Sequence, residues 1–171
     1  MNTKTNQRYQ KTEQQIIETF LDLLRRMPLK QIHVRTLCDA CGLNRSSFYL
    51  HFQDLSDLMQ KTELVLIRNA EHLASSGAAS ETEEARFARY FAFIQQYQGF
   101  FRTYLNAVPQ SRFLDSLVPD AEEEGSEGRT SRYLRAFFRA GLTALVRTWL
   151  DAGCPESPEV LSALLFQELS L

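Results

Sequence analysis

Apolar residues recur at three- and four-residue spacing over most of the chain, which is the period of helices packed by one face. From Thr12, the residues Ile16, Ile17, Phe20, Leu21 and Leu24 form one stripe, and Thr12 with Gln15 has the spacing of a capping box. Met27 precedes Pro28 and is steered out of the α region, so the first helix is predicted to end there. Leu29 to Val34 reads as a connector, with Ile32 and Val34 as apolar plugs. In Arg35 to Cys41, Leu37 and Cys41 share a short helix face, and Gly42 can then turn the chain through φ > 0 without a Cβ clash. Asn44 offers an N-cap to a second helix, Arg45 to Phe52, with Phe48 and Phe52 inward. Three helices closing on Phe20, Leu24, Leu37, Phe48 and Phe52 make a small head.

Asp54, with Asp57 three residues on, is placed to cap a fourth helix carrying Leu58, Leu64 or Val65, and Ile67, which ends near Ser75-Ser76-Gly77. Gly77 to Ser80 is a linker. Thr82 to Leu105 is unusually aromatic, and Gly99 is expected to divide it into two helices. Val108-Pro109 closes that section, Ser111 to Val118 is a short amphipathic piece, and Asp120 to Gly128 is an acidic, glycine-containing loop. Ser131 to Ala152 carries Leu134, Phe137, Phe138, Leu142, Leu145 and Trp149, with Gly153 at C′. Pro158 opens a last helix with Val160, Leu161, Leu164, Leu165 and Leu169. No strand signal occurs, so the expected fold class is all-α. A three-helix head joins an all-helical body through a connecting helix.

Composition narrows the class. The 171 residues are 44% apolar, which is ordinary for a globular protein. No run of eighteen apolar residues is present, and the polar start MNTKTNQRYQK has no apolar signal region, so no membrane span or secretory leader is expected and a cytoplasmic location follows. Charge is divided unevenly. Up to Phe52 eight basic residues face four acidic ones, a balance of +4, which leaves −6 for the remainder of a chain whose net charge is −2. A basic head on an acidic body suits a head that meets phosphate.

No catalytic constellation stands out. His33, His51 and His72 form no metal-binding frame, and there is no nucleophile elbow, Walker loop or dinucleotide fingerprint. Enzymatic activity and a cofactor are not expected. Cys38 and Cys41 make a C-x-x-C with no second pair to complete a zinc site, so packing is favoured over thiol chemistry.

Helix, glycine turn, helix is the arrangement that reads DNA, its second helix lying in the major groove. The same residues resemble the TetR-type repressor signature, carried by Thr12, Ile17, Phe20, Leu24, Pro28 and Ile32, then Val34, Arg35, Leu37, Ala40, Gly42 and Leu43, then Arg45, Ser46, Phe48, Tyr49, His51, Phe52, Asp54 and Leu58. Asn44, Arg45, Ser46 and Ser47 open the reading helix, and Arg45 can take either guanine O6/N7 or a phosphate. The resemblance implies phosphate contacts from Tyr49 and His51 and a base-edge contact from Arg35. One departure is Leu55, where relatives usually carry lysine. The alternative it raises is a coregulator of the same fold acting through a protein partner.

The final helices resemble a body class of TetR-type regulators at Phe138, Ala140-Gly141-Leu142, Trp149-Leu150, Gly153 and Pro158-Glu159. That resemblance implies a four-helix dimer interface, expected at Phe138, Gly141, Leu142, Leu145 and Trp149 with Leu161, Leu164 and Leu165. Packing inside one subunit is the competing reading. It also implies a small-molecule inducer in the body. His72, Phe87, Tyr90 and Phe91, with Ile94, Tyr97, Tyr104 and Phe137, are the candidate lining, although an aromatic stripe is more often core. The reading is a homodimeric DNA-binding regulator, a repressor, on a double-stranded pseudo-palindromic operator. Residues 1–53 are assigned to DNA binding and 54–171 to regulation and dimerisation, with a connecting helix over about 54–76.

Overall fold

A computed structural model describes residues 3–75, 81–107, 113–114, 117 and 126–169. Among them are eight α-helices and no strand: α1 (Thr3–Arg26), α2 (Val34–Cys41), α3 (Arg45–His51), α4 (Leu55–Ser75), α5 (Glu83–Gln96), α6 (Gln98–Ala107), α7 (Ser126–Asp151) and α8 (Pro158–Leu169). A single 3-10 turn, Leu29–Gln31, links α1 to α2. The linker expected at Gly77 to Ser80 lies outside the described residues, as do most of Ser111 to Val118 and of the acidic loop.

The chain forms two compact units, Met1–Val65 with Tyr97–Thr103 and Leu66–Gln96 with Tyr104–Leu171. The first unit thus extends past the expected limit at residue 53 and takes in the first turns of α6. Its core is Ile16, Ile17, Phe20, Leu37, Phe48 and Phe52, joined by Leu58. Gly99 explains why α6 contributes. A Cβ there would lie 2.6 Å from the carbonyl carbon of Leu24, so only glycine lets α6 approach the backbone of α1 this closely. The helix break expected at Gly99 falls instead at Tyr97, and Gly99 serves contact rather than interruption.

Other sequence expectations shift. α1 begins at Thr3, so Thr12 is inside the helix and its hydroxyl donates to the Arg8 carbonyl (3.0 Å) instead of capping. In α4 Leu58, Thr62, Leu66 and Ala70 are a buried i, i+4 series, joined by Glu63, while Leu64 is exposed. Ser126 to Gly128 belong to α7, five residues before its expected start.

The second unit is built on aromatic contacts. Phe87 lies edge-on to Phe138 and Phe166, and Phe91 to Trp149, with ring centroids 5.6–6.1 Å apart. The Ser162 hydroxyl donates to the Glu84 carbonyl (2.6 Å), which ties α8 to α5. The C-terminal end of α7 is closed by Gly153 N–H to Leu150 O (3.1 Å) and Cys154 N–H to Trp149 O (2.8 Å). Ser157 caps α8, its hydroxyl accepting from the Val160 N–H (3.4 Å).

Candidate nucleic-acid interface

α2 and α3 are joined through Gly42, at φ 65° and ψ 31°. Gly42 N–H reaches Asp39 O (3.3 Å) and Leu43 N–H reaches Cys38 O (2.9 Å), so the last carbonyls of α2 are satisfied by the turn itself. Asn44 stands in the extended N-cap position of α3, but its side chain makes no cap hydrogen bond, contrary to the sequence expectation. Asn44 is exposed, as is Arg45 beside it in sequence. Burial of Phe48 and Phe52 turns the opposite face of α3 outward, exposing Arg45, Ser46, Tyr49 (58%) and Leu50 (74%), with Ser47 half-buried. Arg35 is also exposed, 3.7 Å from the Asp39 carboxylate. An ion pair this exposed contributes at most about 1 kcal/mol, so Asp39 holds Arg35 only weakly.

Flanking helices hold α3 from behind. Tyr9 Oη, on α1, donates to Leu50 O (3.2 Å), and Lys61 Nζ, on α4, donates to His51 O (2.7 Å). A cation at a helix C-terminus also complements its dipole. Lys61 lies 4.9 Å from the Phe52 ring centre and 3.3 Å from Asp57 Oδ2. Asp54 and Asp57 form a reciprocal cap: Asp57 N–H donates to Asp54 Oδ1 and Gln53 N–H to Asp57 Oδ2, both at 2.9 Å. The Gln53 N–H is the chief reason the Asp57 carboxyl sits below its usual range. Gln15 Nε2 donates to Cys41 O (2.9 Å), bracing α2 from α1.

His51 departs from its expected role. Its side chain is only 4% exposed, lying against Tyr9 with centroids 4.0 Å apart and the rings tilted by 35°, and beside Phe52. Its Nδ1 lies 3.6 Å from Glu13 Oε2, beyond hydrogen-bond distance. Phe48 and His51 are i, i+3 on α3, so the ring turns inward with the core and serves packing rather than an open phosphate contact. Cys38 and Cys41 are buried and free, and burial pushes both thiols up, away from the reactive thiolate.

In the second unit, Phe87, Tyr90, Phe91, Ile94 and Tyr104 are buried, and burial raises the Tyr90 hydroxyl pKa. Three other residues expected to line a pocket lie elsewhere: Tyr97 belongs to the first unit, His72 is exposed on α4, and Phe137 is 73% exposed. The expected dimer residues also divide. Leu142, Trp149 and Leu161 are core, and Trp149 Nε1 donates to Glu156 O (3.1 Å). Phe138, Leu145 and Leu165 are half-buried, while Gly141 and Leu164 are exposed. At 100° per residue, the buried face of Leu142, Val146, Trp149 and Leu150 is centred roughly 155° from a second face made of Tyr133, Leu134, Phe137, Gly141, Ala144 and Thr148, all exposed. Val160 and Leu164 form a matching exposed pair on α8. Tyr9, Glu13 and Lys61 were absent from the sequence expectations, and Gln15, expected in a capping box with Thr12, instead braces α2. Tyr9, the one aromatic residue before Ile16, was the available signal.

The family model described as the transcriptional regulator C-terminal region, TetR_C_8, matches residues 81–170. Comparison with curated proteins returned no match. Among solved structures, the dihydroxyacetone kinase operon activator DhaS is similar in fold, with a TM-score of 0.64 and 18% identity over 92% of this chain and 93% of that one. No helix among the described residues is long and apolar enough to cross a membrane. With a regulator C-terminal region over more than half its length, and an all-helical fold shared with a known regulator, the chain belongs to the TetR family of transcriptional regulators.

Proposed function

We propose that the protein is a non-enzymatic, cytoplasmic repressor that binds a pseudo-palindromic operator as a homodimer. The observation that carries this reading is the outward face of α3, which exposes Arg45, Ser46 and Tyr49 and is braced at its C-terminal end by Tyr9 and Lys61. Asn44, Arg45 and Ser46 meet base edges, with Arg45 able to grip guanine O6/N7 or a phosphate, and Tyr49 donates to a phosphate. Arg35 leaves Asp39 to join them. Two α3 helices enter successive major grooves, their half-sites about one helical turn apart or a multiple of it.

The exposed face of α7 supports dimerisation. A Cβ at Gly141 would meet no atom within 4 Å among the described residues, so nothing described in the subunit calls for a glycine that costs the helix about 1 kcal/mol. A second copy approaching closely does. In an antiparallel pair crossing near Gly141, Leu134 and Phe137 of one copy cover Ala144 and Thr148 of the other. Val160 and Leu164 extend the patch.

An apolar inducer in the aromatic body, with Tyr90 and Tyr104 as polar handles, would act through α4, which contributes to both units. Its binding and that of DNA would be coupled by about 1–3 kcal/mol. The operon-activator role printed for DhaS makes activation the competing sign, which a promoter reporter with and without the protein decides. A coregulator acting through a protein partner is favoured by one observation: α4 opens with Leu55, and Lys61 is turned to the His51 carbonyl.

Selection of the purified protein against random duplex DNA at two salt concentrations tests the proposal. An inverted repeat, with affinity falling steeply with salt, supports it. No enrichment at low salt overturns DNA reading and leaves the partner-acting form.

A further inference from the structure

We propose that Leu50 is a specificity-determining residue that reads the 5-methyl group of a thymine in each operator half-site. This rests on the DNA-reading function proposed above and adds an apolar contact to it.

A single exposed leucine is ordinary on a protein surface. Leu50 differs by its position. It is 74% exposed on the same face of α3 as Arg45, Ser46 and Tyr49, and lies one turn from Ser46 on a single ridge. α3 has seven residues, a length of about 10 Å, which is less than the ~12 Å width of the major groove. Its penultimate residue is therefore not carried beyond the groove that admits Arg45. The backbone there is also held, because the Leu50 carbonyl accepts from Tyr9 Oη and the next carbonyl from Lys61 Nζ. The side chain has no donor or acceptor, so it can neither grip a phosphate nor match the hydrogen-bonding edge of a base. The thymine methyl is the apolar feature the major groove presents.

The test scans the selected operator with deoxyuridine, which removes only that methyl. Wild-type protein is expected to lose about fourfold in affinity per half-site at one thymine, the equivalent of one unburied methyl group. Leu50→Ala is expected to bind thymine and uracil operators equally, and Leu50→Met to keep the preference. An operator bound tightly yet indifferent to uracil at every thymine, or discrimination retained by Leu50→Ala, overturns the role of Leu50 and leaves DNA reading standing. Failure to recover any operator overturns both.

Discussion

The outward face of α3 in the first unit carries Arg45, Ser46 and Tyr49, while the outward face of α7 in the second carries Leu134, Phe137, Gly141 and Ala144. Behind α3 lies an apolar core whose rim is polar, with side chains from α1 and α4 bonded to the last carbonyls of the motif. Behind α7 lie Leu142, Val146 and Trp149, so that helix is apolar on both faces. A helix with one polar face tells water from core by itself. A helix apolar on both sides does not tell water from core by itself, and its sequence conceals which side is which.

The largest effect should come from setting the two faces of α7 against each other. Trp149→Ala removes a buried indole and should destabilise the protein by about 3–5 kcal/mol in denaturant unfolding. Phe137→Glu, on the exposed face, should leave monomer unfolding nearly unchanged. It should shift sedimentation from dimer to monomer, a loss of about 2 kcal/mol or more in association. If Trp149→Ala is mild and Phe137→Glu unfolds the chain, the assignment of faces is reversed.

A smaller effect sharpens the picture of the first unit. Gly99→Ala drives a methyl into the backbone of Leu24, which cannot move aside as a side chain could. A loss of about 1–3 kcal/mol is expected, read as a lowered unfolding midpoint. An unchanged midpoint would mean that the α1–α6 approach is looser than described.

Lys61→Met keeps the stem over Phe52 but removes the donor to His51 O. A loss of about 1 kcal/mol is expected, with faster amide exchange at the end of α3. Exchange unchanged there would show that α3 does not depend on this brace.

The smallest effect is tied to pH. Because the Asp57 carboxyl is held below its ordinary 3.8 in the folded protein, the charged cap stabilises above that value. The benefit fades as pH falls through the lowered folded-state value. The stability difference between wild type and Asp57→Asn should therefore be level from neutral pH to about 4 and close in more acidic solution. A gap that widens on acidification would refute the cap.

The same contrast governs what could be read from sequence. The helix-turn-helix was legible because Leu37, Gly42 and Phe48 fix helix, left-handed turn and inward face within twelve residues, all by local rules. The phosphate contact expected of His51 came from the family resemblance alone, while its spacing from Phe48 already placed the ring inward. The first turns of α1 were missed because Thr3 to Lys11 have almost no apolar residue, and their helix is supported by distant contact through Tyr9. In α7 the period was plain but its phase was not. Leu134, Phe137, Leu142 and Trp149 all look like core, and only tertiary packing separates the buried pair from the exposed one.

The bracing of α3 bears on any attempt to re-target this regulator by transplanting a reading helix from a relative. The seven residues of α3 do not form a portable cassette. Their geometry is borrowed from Tyr9, forty-one positions before the Leu50 carbonyl it bonds, and from Lys61, ten positions after the His51 carbonyl. A graft that replaces Arg45–His51 alone would retain the side chains meant for bases and lose their aim. One that carries the Tyr9 and Lys61 positions with it would move the operator preference as a unit.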